Sequence, residues 1–216
     1  MKVGDTNVAR TGCLVIVSGP SGAGKTSICT PALAALENLS LSVSVTTRAP
    51  RGTEVDGKDY RFVSDDEFDA MTAAGEFAEW ARVHRHRYGT SRVAIDDSLA
   101  AGTDLLLDID VQGAVQIKKV YPEAVSIFLL PPSREHLEQR LRGRGTDDAD
   151  TVRTRLAAAC SEIAALPHYD YMIVNHDLDT AVKEFIAIVH AERSRIVRVE
   201  AGDLRSVVEA FDGGTP

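Results

Sequence analysis

The chain has 216 residues, 44% of them hydrophobic and 26% charged, with a formal net charge of −8. That length allows one α/β unit with inserted subdomains and a buried core. The acidic balance argues against a general nucleic-acid binder, but a phosphate ligand stays open because local arginines set the field in a cleft. No apolar run approaches the ~20 residues of a membrane span, and the first residues are polar with no signal-type stretch, so no membrane is expected and a cytoplasmic home is. Cys13, Cys29 and Cys160 are too few and scattered for a disulfide framework or a zinc site, and packing roles are expected for all three.

In chain order, residues 1–11 read as a loose leader. The apolar run 13–17 ends in Ser18-Gly19 and reads as a buried strand, followed by a helix over 25–36 and a short strand over 41–45. Residues 46–60 are basic and rich in turn formers, which predicts a loop. Ser64-Asp65-Asp66-Glu67 is a capping box that opens a helix through about 72. Further helices are expected over 92–100, 114–120, 133–142, 148–166 and 178–198, and strands over 104–110, 125–130 and 171–174; residues 212–216 should fray. Strands alternating with helices predict a parallel sheet with helices on both faces, interrupted over about 44–96 and 134–168.

Gly19-Pro20-Ser21-Gly22-Ala23-Gly24-Lys25-Thr26, with Ser27 next, fits G-x-x-x-x-G-K-[ST] between a strand and a helix. Such a loop wraps an anion with its N–H groups, Lys25 can reach the β- and γ-phosphates, and Thr26 offers a hydroxyl to Mg²⁺. Asp108 and Asp110 end a strand at the edge where open α/β sheets bind ligands; one carboxylate can serve Mg²⁺ and the other an acceptor. Arg48 and Arg51 flank Pro50 in a loop where guanidinium forks could hold a monophosphate. Arg140, Arg144 and Arg155 bracket Gly143 and Gly145, as in a helical lid that closes over a transferring phosphate. His84-x-His86 reads as exposed loop.

The chain resembles the guanylate kinase family of P-loop nucleoside monophosphate kinases over about 13–196. The P-loop, Ser42 to Arg51 with its Thr-Thr-Arg-x-Pro-Arg segment, Gly57-Lys58-Asp59-Tyr60, Glu79-Trp80, Tyr88-Gly89-Thr90, Asp108-Ile109-Asp110-Val111-Gln112-Gly113, Gly143 to Thr146 and Val174-Asn175 carry the likeness. It implies a P-loop NTPase-like fold. Its core would span 13–43, 97–133 and 169–198, with a GMP-binding subdomain over 44–96 and a lid over 134–168.

ATP, with Mg²⁺ held by Thr26 and Asp108, would be the donor, and GMP or dGMP the acceptor. Glu79 and Asp110 would accept from guanine N1–H and the 2-amino group, and Ser44 and Thr90 would meet O6. Arg48, Arg51, Tyr60 and Tyr88 would hold the GMP phosphate. Lys25, Arg140, Arg144 and Arg155 would neutralise the transferred group, and Asn175 would help hold adenine. The protein would be a monomer or homodimer. The intact Gly24-Lys25-Thr26 counts against a non-catalytic peptide-binding module, and the guanine-edge set against a kinase with another acceptor. Two departures mark this chain: Gly52-Thr53-Glu54 follows Arg51 where x-Gly-Glu is usual, which should shift the turn, and Arg87 stands where a second tyrosine is common.

Overall fold

The computed structural model describes residues 2–3, 6–7, 9–83, 85–143 and 149–212. In chain order the elements are β1 (Lys2–Val3), β2 (Thr6–Asn7), β3 (Leu14–Ser18), α1 (Lys25–Ala35), β4 (Leu39–Leu41), β5 (Val45–Thr46), β6 (Arg61–Phe62), α2 (Asp65–Ala73), β7 (Phe77–Val83), β8 (His86–Ser91), α3 (Arg92–Ala100), β9 (Asp104–Asp108), α4 (Val111–Val120), β10 (Val125–Leu130), α5 (Arg134–Arg142), α6 (Ala149–Ile163), β11 (Tyr171–Val174), α7 (Leu178–Arg193) and α8 (Ala201–Asp212).

A parallel five-stranded sheet runs in the order β11-β10-β3-β9-β4. Its strands are near-continuous apolar runs because both faces are covered. Along β3 the side chains alternate: Val15 and Val17 pack with Ile28 of α1 and Phe185 of α7, while Leu14 and Ile16 pack with Ile95 of α3 and Ile117 of α4. β3 sits centrally, and the chain leaves it first toward β4 and β9, then crosses to β10 and β11. That reversal of direction opens a crevice at the C-terminal ends of β3 and β9.

A second sheet, β6-β5-β8-β7, lies in the first interruption. It closes over α2 through Val45, Phe68, Met71 and Phe77. The capping box at Ser64 and Glu67 starts α2 as predicted. In the second interruption α5 packs on α6 through Leu137, Leu141, Val152 and Ala159.

Several expectations are corrected. The strand expected over 41–45 is split, β4 joining the core sheet and β5 the second sheet. The β7–β8 hairpin stands where no strand was predicted. The strand expected through 110 stops at Asp108, and Asp110 caps α4 instead, its side chain accepting from Gly113 N–H at 2.8 Å. The last expected helix ends at Arg193, and α8 follows. Cys13 and Cys29 are buried, but Cys160 is exposed. Arg144 lies outside the described residues, as do His84 and the 213–216 part of the tail expected to fray.

Nor is the leader loose throughout. Arg10 pairs with Asp104, Nη1 to Oδ1 at 2.7 Å, and Arg193 Nε reaches Asp104 Oδ2 at 2.6 Å. Asp104 is fully buried at the start of β9 and also accepts from Cys13 N–H at 2.7 Å. Burial opposes its ionisation, but the bonds from Arg10, Cys13 and Arg193 outweigh it and hold the carboxyl below its ordinary range. Removing one partner of such a cluster strands the rest, so Asp104→Ala should cost about 3 kcal/mol of stability in urea unfolding. The depressed group lends stability above its unfolded pKa and loses it as pH falls through the folded value.

Candidate active site

The crevice begins where β3 ends. Gly24, at φ 100, is the N-cap of α1; no side chain caps that helix and no acid sits in its first turn. The opening N–H groups of α1 therefore point at the crevice with no carboxylate competing for them, which is how a helix start receives an anion. A Cβ on Gly24 would lie 2.2 Å from Asn175 Nδ2, so the loop can pass here only as glycine. Asn175 Nδ2 donates to Ala23 O at 2.9 Å, and Arg140 Nη1 donates to the same carbonyl at 3.2 Å. Arg140 Nη2 donates to Asn175 O at 3.2 Å. Asn175 and Arg140 thus brace the loop from behind. Lys25 Nζ donates to Gly19 O at 2.7 Å and lies 3.9 Å from Asp108 Oδ1.

The main cavity measures about 500 Å³. One wall is the loop, with Ser21, Gly22, Gly24, Lys25, Thr26 and Ser27. The facing wall carries Ser44, Tyr60, Glu79 and Tyr88, and the floor carries Asp108 and Asp110. Desolvation in the crevice pushes the Asp108 carboxyl upward, and Lys25 opposes the shift.

Glu79 reaches this cavity through an irregularity of the ladder. The pairing of β7 with β8 slips between Phe77 and Glu79, a bulge that re-aims the strand. Glu79 is buried, and Thr90 Oγ1 donates to its Oε1 at 2.6 Å. Burial is the main force that raises its carboxyl to about 7; the Thr90 bond lowers it, and Asp110 raises it. Gly113 on α4 leaves room for this side chain, since a Cβ there would stand 2.7 Å from Glu79 Oε2. Thr90 itself is fully buried behind Glu79.

Arg48 is 6% exposed and held on three sides. Glu54 accepts both arms of its fork at 2.9 Å, Ala49 O accepts from Nη1 at 2.9 Å, and the guanidinium lies 5.2 Å from the Tyr60 ring centre. Tyr60 in turn meets the Tyr88 ring edge-on at 6.0 Å. Arg51 is exposed, and its N–H donates to Glu54 Oε2 at 2.8 Å. Arg48, then the Arg51 amide, hold the Glu54 carboxyl below its usual range. Glu54 is therefore the organiser of this loop, a role missed in the sequence, where it reads as one more loop acid. Gly52 takes the positive φ of the turn, at 54°. Arg87 anchors α2: it bonds Asp65 Oδ1 through Nη2 at 2.6 Å, pairs with Asp69 and lies over Phe68 at 4.7 Å.

A second cavity of about 450 Å³ opens on the other side of the loop, between Gly22, Gly24, Arg140, Asn175, His176 and Leu178. Arg155 is half-buried on α6. The sequence reading also missed Glu162, which α6 sends into the main cavity. Its only sequence signal is an acid on a helix, which usually means a solvated face.

The sheet order, the loop with its uncapped helix and the cavities on either side define a P-loop nucleotide-binding protein of the α/β class. The guanylate kinase family model matches residues 11–192. The chain belongs to the guanylate kinase family. It is 51% identical over 197 residues to the guanylate kinase of Syntrophotalea carbinolica, covering 90% of this chain and 94% of that one. It is 52% identical over 186 residues to the guanylate kinase of Nitrosomonas europaea, covering 86% and 92%. The crystal structure of guanylate kinase from Anaplasma phagocytophilum superposes with a TM-score of 0.77 at 34% identity, over 94% of this chain and 96% of that one.

Proposed function

We propose that the protein transfers the γ-phosphate of ATP to GMP, giving ADP and GDP. The observation that carries this reading is the pair of carboxylates, Glu79 and Asp110, held across the main cavity from the phosphate loop. Guanine presents N1–H and a 2-amino group on one edge and needs acceptors there; adenine would leave those acceptors unpaired, a mismatch that discriminates by ~10⁴-fold. Ser44 is the hydroxyl for O6, and Thr90, whose hydroxyl donates to Glu79 Oε1, steadies the carboxylate that meets guanine. Arg48 and Arg51, arranged by Glu54, hold the GMP phosphate with Tyr60 and Tyr88. Ser21 to Ser27 and Asn175 hold ATP, with the second cavity as the adenine side.

The acceptor oxygen is already anionic, so no strong base is needed. Lys25, Arg140, Arg144 and Arg155 neutralise the transferred group as the lid of 134–168 and the GMP-binding subdomain of 44–96 close on the core, excluding water. Thr26 and Asp108 are hard oxygen donors that both line the main cavity. They suit Mg²⁺, which takes few protein ligands and completes its shell with phosphate oxygens and water. When bound, Mg²⁺ would offset charge on the β- and γ-phosphates. No helix among the described residues is long and apolar enough to cross a membrane, and free thiols at Cys13, Cys29 and Cys160 favour a reducing cytoplasm.

A coupled ADP-release assay with GMP, dGMP, IMP, AMP and UMP tests the reading. GMP should be turned over far faster than AMP; equal rates with both would defeat it. Gly113→Ala separates binding from folding. The ~1 kcal/mol by which a helix favours alanine over glycine offsets the crowding of Glu79 Oε2 at 2.7 Å and Ile109 Cδ1 at 3.3 Å, so the thermal midpoint should shift little. The new Cβ should displace Glu79, and the KM for GMP should rise about tenfold for the ~1.4 kcal/mol lost with the bond it perturbs.

A further inference from the structure

Positive charge is what a phosphate-transfer lid is expected to supply, yet α6 places a carboxylate in the cavity. Among the described residues of 134–168, Glu162 alone lines the main cavity, in company with Glu79, Asp108 and Asp110. It is half-buried and lies in the fields of Lys25, which attracts it, and Asp110, which repels it. Lys25 is already engaged by Gly19 O at 2.7 Å and faces Asp108 Oδ1 at 3.9 Å. A carboxylate with no cation between them is repelled by a transferring phosphate, and Asp108 is the one this reading gives to Mg²⁺. Glu162 therefore belongs on the nucleoside side of the cavity, where a ligand offers N–H and O–H donors.

A second observation marks the same corner. Ser18 Oγ and Tyr169 Oη are buried and turned toward each other, with no close bond to any other group. The Tyr169 hydroxyl lies in the fields of Asp110 and Glu162. This pair lies behind the cavity lining, so the Tyr169 hydroxyl adds no acceptor or donor for Glu162 in the empty site.

We propose that Glu162 is the lid's own contact with the acceptor nucleoside, accepting a hydrogen bond from the ribose 2′-hydroxyl or the guanine 2-amino group. Closure of α6 over Asp110 brings two carboxylates together and is unfavourable in the empty site. A donor placed at Glu162 relieves that repulsion, so the lid responds to the acceptor as well as to ATP. The inference rests on GMP being the acceptor.

The test is steady-state kinetics of the full chain and of Glu162→Gln with GMP, dGMP and IMP at saturating ATP. The isosteric variant should keep its thermal midpoint and raise the KM for GMP about tenfold, as for a lost bond to a charged acceptor. The wild-type penalty for removing the 2′-hydroxyl (dGMP) or the 2-amino group (IMP) should shrink toward unity for one analogue, and that analogue names the donor. Unchanged penalties for both analogues would overturn the inference, whatever the variant's rate, as would a loss confined to the KM for ATP. Wild-type protein that phosphorylates GMP no faster than AMP would instead overturn the functional reading beneath it.

Discussion

Lys25→Ala should lower kcat by about 10³-fold or more, with little change in the KM for GMP and an unaltered far-UV spectrum. Lys25 opens α1 and reaches back over the loop to Gly19 O, and on the proposed reading its ammonium stands where negative charge builds between donor and acceptor phosphates. Its loss removes one hydrogen bond from the folded protein, worth ~1 kcal/mol, against ~4 kcal/mol or more of transition-state stabilisation. Chemistry should therefore collapse while the fold survives. Single-turnover measurements would separate the chemical step from binding, and a variant that keeps full turnover would refute the assignment.

Glu79→Gln should lower kcat/KM for GMP by about 10³-fold and leave the weak rate with AMP almost unchanged, because an amide NH₂ replaces an acceptor that guanine needs. A pH signature accompanies it. The carboxyl sits near 7 rather than 4.5, raised chiefly by burial and further by Asp110 across the cavity, with Thr90 opposing. On the proposed reading guanine binds the ionised form. The ionised fraction is about one tenth at pH 6 and nine tenths at pH 8, so guanosine, which has no phosphate to titrate, should bind about tenfold tighter at pH 8. The Gln variant should show a flat profile across that window. The sign for stability is the reverse: the folded protein holds this proton between about 4.5 and 7 and the unfolded chain does not, so this group's contribution falls as pH rises through that range. Calorimetric titration at the two pH values checks the first effect and thermal unfolding of the nucleotide-free protein the second.

What could be read from the sequence is what depends on neighbours along the chain. The phosphate loop is fixed by eight consecutive positions, Gly19 to Thr26, and the capping box of α2 by four, Ser64 to Glu67. The core strands announce themselves as apolar runs because both sheet faces are buried. The β7–β8 hairpin did not, because the bulge beside Ala78 breaks the alternation of its burial and puts an acid inside. The stretch 41–45 looks like one strand, yet its ends pair with different sheets, a choice made by partners far away in sequence. α8 was passed over although Leu204, Val208 and Phe211 recur at helical spacing, because no motif or resemblance reaches the tail to draw attention to it.

At the site the divide is similar. Lys25, Glu79 and Asp110 were legible through motif and resemblance, and the fold brings all three to one cavity. Arg48 is expected from the sequence as a phosphate ligand, but its fork is shaped by Glu54, six residues on, and nothing local marks that acid as different from its neighbours. Glu162 became visible only when α6 was seen over the crevice. An acid's surroundings are decided by tertiary contacts, and residue type alone usually predicts a solvated surface.

The most direct test of the whole account follows the label from ATP carrying ³²P in its γ-phosphate, incubated with the protein and equal GMP and AMP. Radioactivity is expected almost entirely in GDP, with ADP formed in equal amount from ATP. Label recovered as inorganic phosphate, or shared evenly between GDP and the product of AMP, would contradict it.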